Sequence, residues 1–294
     1  MNAISKQDYL HHASAAPSVL QQREAVVSSA NQTAQPRSCM LKIAKYVLYD
    51  ILRNRIVLGY AAFLFVAAIT FFNLEGDSTK SVMSLLNIVL IMAPLVSVIF
   101  STIHFYNSYE FIELLVAQPV SRRAILGAEY AGVGGALVAA FLFGIGLPVV
   151  VFSPDSRGFT LLATGVLLTL VFVSLAFLAA VLTRDKARGI GLALLLWFCF
   201  SILYDGLVLV LLFAFSDYPL EKPTLVLTFL NPVDLSRILM LLQLDVSALM
   251  GYTGAVFNEF LGSTAGVALA YACLVLWVLL PMFWAERVFR KKDL

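Results

Sequence analysis

Apolar residues run through this chain in six long blocks separated by short polar interruptions. Ile56–Asn73, Ser81–Tyr109, Tyr130–Pro154, Gly158–Thr183 and Phe260–Ala285 contain no Asp, Glu, Lys or Arg, and Gly189–Ser216 is broken only by Asp205. A helix needs about 20 mostly apolar residues to cross a hydrocarbon layer about 30 Å thick. The pattern therefore predicts an all-α polytopic membrane protein. Its six transmembrane helices lie at about 56–73, 83–105, 130–152, 159–183, 189–214 and 263–285.

The interruptions between the blocks have patterns of their own. Leu41–Arg55 places Leu41, Ile43, Ala44, Val47, Leu48, Ile51 and Leu52 on one helical face, with Lys42, Lys45, Asp50 and Arg53 elsewhere. This predicts an amphipathic helix in the membrane interface, leading into the first span. It is either a plain anchor or one that also meets a partner. Tyr106–Ser121 begins polar and acidic with Glu110 and Glu113, continues with Leu114–Leu115–Val116 and stops at Pro119, before Arg122 and Arg123. A short helix with that pattern either plugs into a groove on a soluble partner or is an ordinary interfacial loop ended by its proline.

Asp217–Glu259 is the one long connection, and its runs Leu225–Leu230 and Ile238–Leu244 are too apolar for disorder. Asn231–Pro232–Val233–Asp234 reads as a helix start: Asn caps, Pro suits the first position and Asp favours the first turn. Arg237 follows Asp234 by three residues, close enough to pair. The expectation is a helix of about three turns at the outer interface, a platform for a partner, with the Asp234–Arg237 pair either part of it or purely local. Residues 1–39 are rich in Ala, Ser and Gln with no apolar h-region. They read as a disordered leader, with Met40 the alternative start and 40–294 the membrane domain.

Lys and Arg set the orientation. Lys42, Lys45, Arg53, Arg55, Arg122, Arg123, Arg184, Lys186, Arg188, Arg287, Arg290, Lys291 and Lys292 fall on one side, and Lys80, Arg157, Lys222 and Arg237 on the other. Both ends are therefore expected in the cytoplasm. Composition agrees with the membrane reading: 61% of the 294 residues are hydrophobic and 13% charged, at a mean hydropathy of +0.90. A soluble domain carries about 25% charged residues, so a soluble enzyme is excluded.

Candidate chemistry is sparse. Cys39, Cys199 and Cys273 form neither a disulfide framework nor a zinc spacing, and the seven methionines are scattered, so no metal site is expected. Two of the three histidines lie in the leader, which leaves His104 without a catalytic partner and no catalytic residue to name. There is no GxxxxGK[ST] motif, so any ATP must be bound by another chain. The net charge of +2 is uninformative as a total, and no nucleic-acid partner is expected. Asp205, about 25 Å along its helix from Gly189, is a functional candidate by default. The alternative is that it snorkels, or pairs with a polar group such as Asn87 or Tyr204. Gly127, Ala131, Gly135 and Ala139 recur every four residues, and Gly132, Ala136, Ala140 and Gly144 do so on an adjoining face. Such stripes let helices approach closely, so the third span is expected to pack on a neighbouring helix or on a second copy of the chain. Pro94, Pro148 and Pro281 are expected to kink the second, third and sixth spans.

These features together resemble ABC-2-type transporter permeases, with the topology of type V exporters. LLVAQPVSRRAILGAEYAG (Leu114–Gly132) is similar to the coupling-helix region of that superfamily. LLLWFCFSILYDGLVLVLL (Leu194–Leu212) and FLNPVDLSRILML (Phe229–Leu241) resemble the permeases of nitrous-oxide reductase maturation systems. Such permeases often carry a Glu…Gly-Thr pattern where this chain reads Tyr109–Glu110–Phe111–Ile112–Glu113. The resemblance implies a homodimer in the bacterial inner membrane, in contact with membrane lipid. Cytoplasmic ABC ATPases, which hold ATP and Mg, would dock at Glu110, Glu113, Leu114, Leu115, Pro119 and Arg122. A periplasmic β-helical subunit would dock at Asn231, Asp234 and Arg237. A lipoprotein copper chaperone would hand over copper, which the wider complex handles while this chain binds no cofactor. An ABC-2 exporter of an unrelated lipid, drug or polysaccharide is the alternative.

Overall fold

The computed structural model describes residues 36–117, 120–215, 221–243 and 262–291. Among them every regular element is helical. Helix α1 is Pro36–Leu52, α2 Arg55–Glu75, α3 Ser78–Asn107, α4 Tyr109–Val116 and α5 Arg122–Phe152. Helix α6 is Ser156–Leu182, α7 Lys186–Ala214, α8 Glu221–Leu230, α9 Pro232–Gln243 and α10 Thr264–Lys291. Six of these, α2, α3, α5, α6, α7 and α10, are long and apolar enough to cross a membrane.

Polar side chains fix where the helices begin. Asn54, Asp77, Ser121, Asp155, Asp185, Asn231 and Ser263 each accept a hydrogen bond from a first-turn backbone N–H. Each such cap is worth about 1 kcal/mol. The N–H groups of Arg188 and Ala187 hold the Asp185 carboxyl below its ordinary pKa. Gly76 ends α2 at a φ of 62°, a left-handed turn that a residue with a Cβ adopts only under strain. The spans run past the charge-free blocks because helix ends follow these caps. Arg122, Arg123 and Glu129, for example, all lie within α5.

Helix α6 is the centre of the bundle. Its inner residues Leu168, Val171, Phe172, Val173 and Phe177 are fully buried among α3, α5, α7, α9 and α10. The Phe141 ring of α5 lies directly against Gly165 of α6. Helix α7 sits at the edge, burying only Gly189 and Ala193. Two spans contain one wide π turn each. In α5 it covers Leu142–Gly146, where Leu147 N–H reaches back to Leu142 O, directly before Pro148. The wider turn accommodates a proline that has no N–H to give. Helices α3 and α10 run on through Pro94 and Pro281.

Three expectations change here. Helix α1 begins at Pro36, ahead of Met40, so the tract 36–39 assigned to the leader is helical; the rest of that leader lies outside the described residues. Helix α1 is also more than an interfacial anchor. Ile43, Val47 and Ile51 are buried, and Val47 and Leu48 press on Gly132 and Gly135 of α5. Finally, the outer connection contains two helices, α8 and α9, bent by 115° at Leu230–Asn231. They fold back into the bundle, with Leu225, Leu235, Ile238 and Leu239 packed on Ala270 and Leu274 of α10.

Candidate functional site

Two constellations stand out, one at each end of the bundle. At the first, α3 hands over to α5 through the two-turn helix α4. Ile112 and Leu115 are buried and seat α4 on the bundle. Glu110, Phe111, Glu113 and Leu114, at offsets 0, 1, 3 and 4, form the opposite face and are exposed, Leu114 to 68%. Glu110 lies in the first turn, where the helix dipole favours an acid. The exposed Tyr46 of α1 stands beside Phe111, ring centroids 6.3 Å apart, and widens this face. The result is an amphipathic protrusion with two carboxylates around an apolar centre.

The structure divides the predicted docking set. Glu110, Glu113 and Leu114 face outward, whereas Leu115 is the seat. Arg122 turns inward, its guanidinium donating to the Phe289 carbonyl of α10 at 3.4 Å. Its neighbour Arg123 pairs with Glu286 of α10 at 2.6 Å. Arg122 therefore also braces α5 against α10. Pro119 lies outside the described residues. Phe111 was not singled out from sequence, although its offset from Glu110 and Leu114 was the available signal.

The second constellation gathers Asp205 and the three residues expected to form an outer platform. Arg237 Nη1 lies 2.8 Å from Asp205 Oδ2 and 3.1 Å from Asp234 Oδ1. Asn231, fully buried, caps α9 by accepting from Val233 N at 3.0 Å. Its amide donates to Asp234 Oδ2 at 3.1 Å and to the Phe200 carbonyl at 2.9 Å. Phe200 belongs to the π turn of α7, Cys199–Leu203, where Tyr204 N–H reaches back to Cys199 O. Tyr204 OH also donates to Leu227 O at 2.7 Å, and Trp277 Nε1 of α10 donates to Phe229 O at 3.2 Å. The elbow between α8 and α9 is thus held by α7 on one side and α10 on the other.

Several readings are corrected by this geometry. Asn231 is a buried strut, not a platform surface. Asp205 pairs with Arg237, and the Asp234–Arg237 pair is not purely local. Asn87 is exposed and donates to Met83 O of its own helix at 3.3 Å, so it does not reach Asp205. The small-residue stripes also separate. Ala131 and Ala139 are exposed, and Gly127 and Gly135 are half-buried. The adjoining stripe makes the closest contacts, Gly132 on Val47 and the Ala44 carbonyl of α1 and Gly144 on Leu64 and the Ala61 carbonyl of α2, while in the first stripe Gly135 meets Leu48 of α1.

One polar pair escaped the sequence reading. Glu129 is 1% exposed inside α5, and His104 Nε2 of α3 is 3.5 Å from its carboxylate. His104 Nε2 is also 3.3 Å from the hydroxyl of Ser108, the residue joining α3 to α4. Glu129 stands directly before the charge-free block that begins at Tyr130, and so falls outside it. The remaining clue was its place between Ala128 and Gly132 on the close-packed face. Among the described residues, no three His, Cys, Asp or Glu side chains converge as a metal site would need.

Comparison with known proteins gives a consistent result. A family model described as ABC-2 family transporter protein matches residues 41–294. The chain is 26% identical over 274 residues to a protein of Stutzerimonas stutzeri described as "Probable ABC transporter permease protein NosY", covering 85% of this chain and 97% of that one. A Pseudomonas aeruginosa protein of the same description is 26% identical over 273 residues, covering 86% of this chain and 98% of the relative.

Proposed function

The chain belongs to the ABC-2 family of transporter proteins, and from that premise we propose that it serves as the permease of a complex that matures the copper centres of nitrous-oxide reductase. At the coarser level it is a multi-pass permease subunit that works with a separate ATPase. The observation that carries the working model is the outward face of α4: two acids around an exposed Leu114, on a helix seated by Ile112 and Leu115. An ATPase groove with an apolar floor and basic rim fits that chemistry.

A continuous path of contacts supports a lever. Helix α4 packs against α5, and Arg122 and Arg123 tie the start of α5 to the end of α10. Helix α10 holds the Phe229 carbonyl through Trp277, and α7 holds Asn231. Movement pressed on α4 by ATP-driven closure of the ATPases would reach the α8–α9 elbow along that path. There a periplasmic β-helical subunit would receive it, with a lipoprotein chaperone supplying copper to the reductase. In this reading the chain is a homodimer in the bacterial inner membrane with both termini in the cytoplasm. ATP and Mg stay on the ATPase, and copper does not pass through the spans.

The reading rests on the sequence resemblance of Leu194–Leu212 and Phe229–Leu241 and on the end-to-end similarity to the two relatives named above. Purification of the tagged chain in mild detergent tests it. An ATPase, a β-helical periplasmic protein and a reductase whose copper centres are absent from a deletion strain are the expected results. A deletion strain with a fully copper-loaded reductase would overturn the nitrous-oxide reading and favour an exporter of another substrate.

A further inference from the structure

Beside α6, near the end of α10, an apolar groove of about 680 Å³ runs from Trp277 to Lys291. Leu175 and Leu178 of α6 form one wall, and Leu280, Pro281 and Trp284 of α10 the other. Fourteen residues of helix span about 21 Å, the depth of one membrane leaflet with its headgroups. The groove is apolar for most of that length and changes character only at one end, where Arg287 and Lys291 line it.

Those two cations differ from the basic residues nearest them on α5 and α10. Arg123 and Arg290 share Glu286, at 2.6 and 3.8 Å. Arg122 is bonded to the Phe289 carbonyl. Arg287 instead lies over the Phe283 ring at 5.2 Å, and among the described residues neither it nor Lys291 has an acidic partner. A cleft of leaflet depth, apolar below and doubly cationic at its mouth, matches one class of molecule. We infer that it binds an anionic phospholipid, with an acyl chain against Leu178, Leu280 and Trp284 and the headgroup phosphate on Arg287 and Lys291. The excess of Lys and Arg on this side of the spans places the site in the cytoplasmic leaflet, where anionic headgroups face basic side chains.

The site bears on coupling because α10 ends there while tied to the start of α5. A bound lipid fixes the last turns of α10, and with them the brace that α5 carries away from α4. This assignment does not depend on what the complex transports.

The test uses the chain with its co-purified ATPase in nanodiscs of phosphatidylglycerol and phosphatidylcholine at equal headgroup fractions, with lipid carried through detergent counted by native mass spectrometry. The wild-type complex is expected to retain phosphatidylglycerol in preference to phosphatidylcholine. Arg287→Gln with Lys291→Gln is expected to lower that preference about 25-fold, each cation contributing about five-fold. Leu178→Trp fills the groove with both cations intact and is expected to abolish retention, which separates a seated lipid from diffuse attraction. Equal retention of phosphatidylglycerol by wild type and both variants overturns the assignment. So does a disulfide between two copies bearing Leu280→Cys, which would make the groove a contact between copies. Thermal midpoints within a few degrees of wild type certify that each variant is folded.

Discussion

Replacing Arg237 by Gln removes the one cation that holds Asp205 and Asp234 together. A single guanidinium nitrogen contacts both carboxylates, at 2.8 and 3.1 Å. The two acid oxygens therefore lie within about 6 Å of each other. Burial and the neighbouring Asp205 raise the pKa of the Asp234 carboxyl to about 7, so both acids are charged only well above neutral pH, where at an effective dielectric of about 20 they repel by about 3 kcal/mol. Two charge-assisted hydrogen bonds are lost as well. Each is normally worth about 1.5–3 kcal/mol and here counts at the low end, because Arg237 and Asp205 are about one-third exposed. Asp205→Asn, by contrast, leaves the Arg237–Asp234 pair neutral and is expected to cost about 1 kcal/mol or less. The sign of the double variant is the sharp point. Asp205→Asn added to Arg237→Gln removes one of the repelling charges and should recover about 2 kcal/mol of the loss. At about 2–4 °C per kcal/mol, thermal unfolding in detergent at about pH 9, where both acids are ionised, should rank wild type, Asp205→Asn, the double variant and Arg237→Gln in falling order. A double variant as unstable as Arg237→Gln alone, or less stable, would refute the claim that these residues form one electrostatic unit.

Other outcomes follow from the same reasoning. A Cβ on Gly132 would sit 2.6 Å from Val47 and 3.1 Å from the Ala44 carbonyl, so Gly132→Ala should cost about 1–3 kcal/mol, read as a lower thermal midpoint; Ala131→Leu, on the exposed stripe, should leave it unchanged. Trp277→Phe keeps the ring but loses the bond to Phe229 O, about 1 kcal/mol, and should loosen hydrogen-exchange protection at 228–231 more than elsewhere.

The spans were legible in the sequence because lipid demands long apolar stretches, and six of them cannot be disguised. The start of α9 was legible too, since Asn231–Pro232–Val233–Asp234 combines a cap, a fixed φ and a first-turn acid. What escaped was partnership across the fold. Arg237 is three residues from Asp234, so a local pair was readable; its bond to Asp205, thirty-two residues away, depends on how α9 folds back against α7. The π turn that presents the Phe200 carbonyl to Asn231 has no proline or glycine to announce it. The choice between the two small-residue stripes of α5 likewise depended on where α1 and α2 lie. The bond from Arg122 to α10 was not legible either, because a basic residue after a short helix is as well placed to brace a neighbouring helix as to meet a partner.

The central claim is that the outward face of α4 is where the ATPase grips the membrane subunit. The direct measurement is how much ATPase co-purifies with the tagged chain carrying both Glu110→Lys and Glu113→Lys, at low and at moderate salt. The claim predicts at least a ten-fold drop with the thermal midpoint of the permease lowered by no more than a few degrees, since both side chains are exposed and the first-turn preference for an acid at Glu110 is worth about 1 kcal/mol at most. ATPase recovered at the wild-type ratio would contradict it and move the docking surface elsewhere on the molecule.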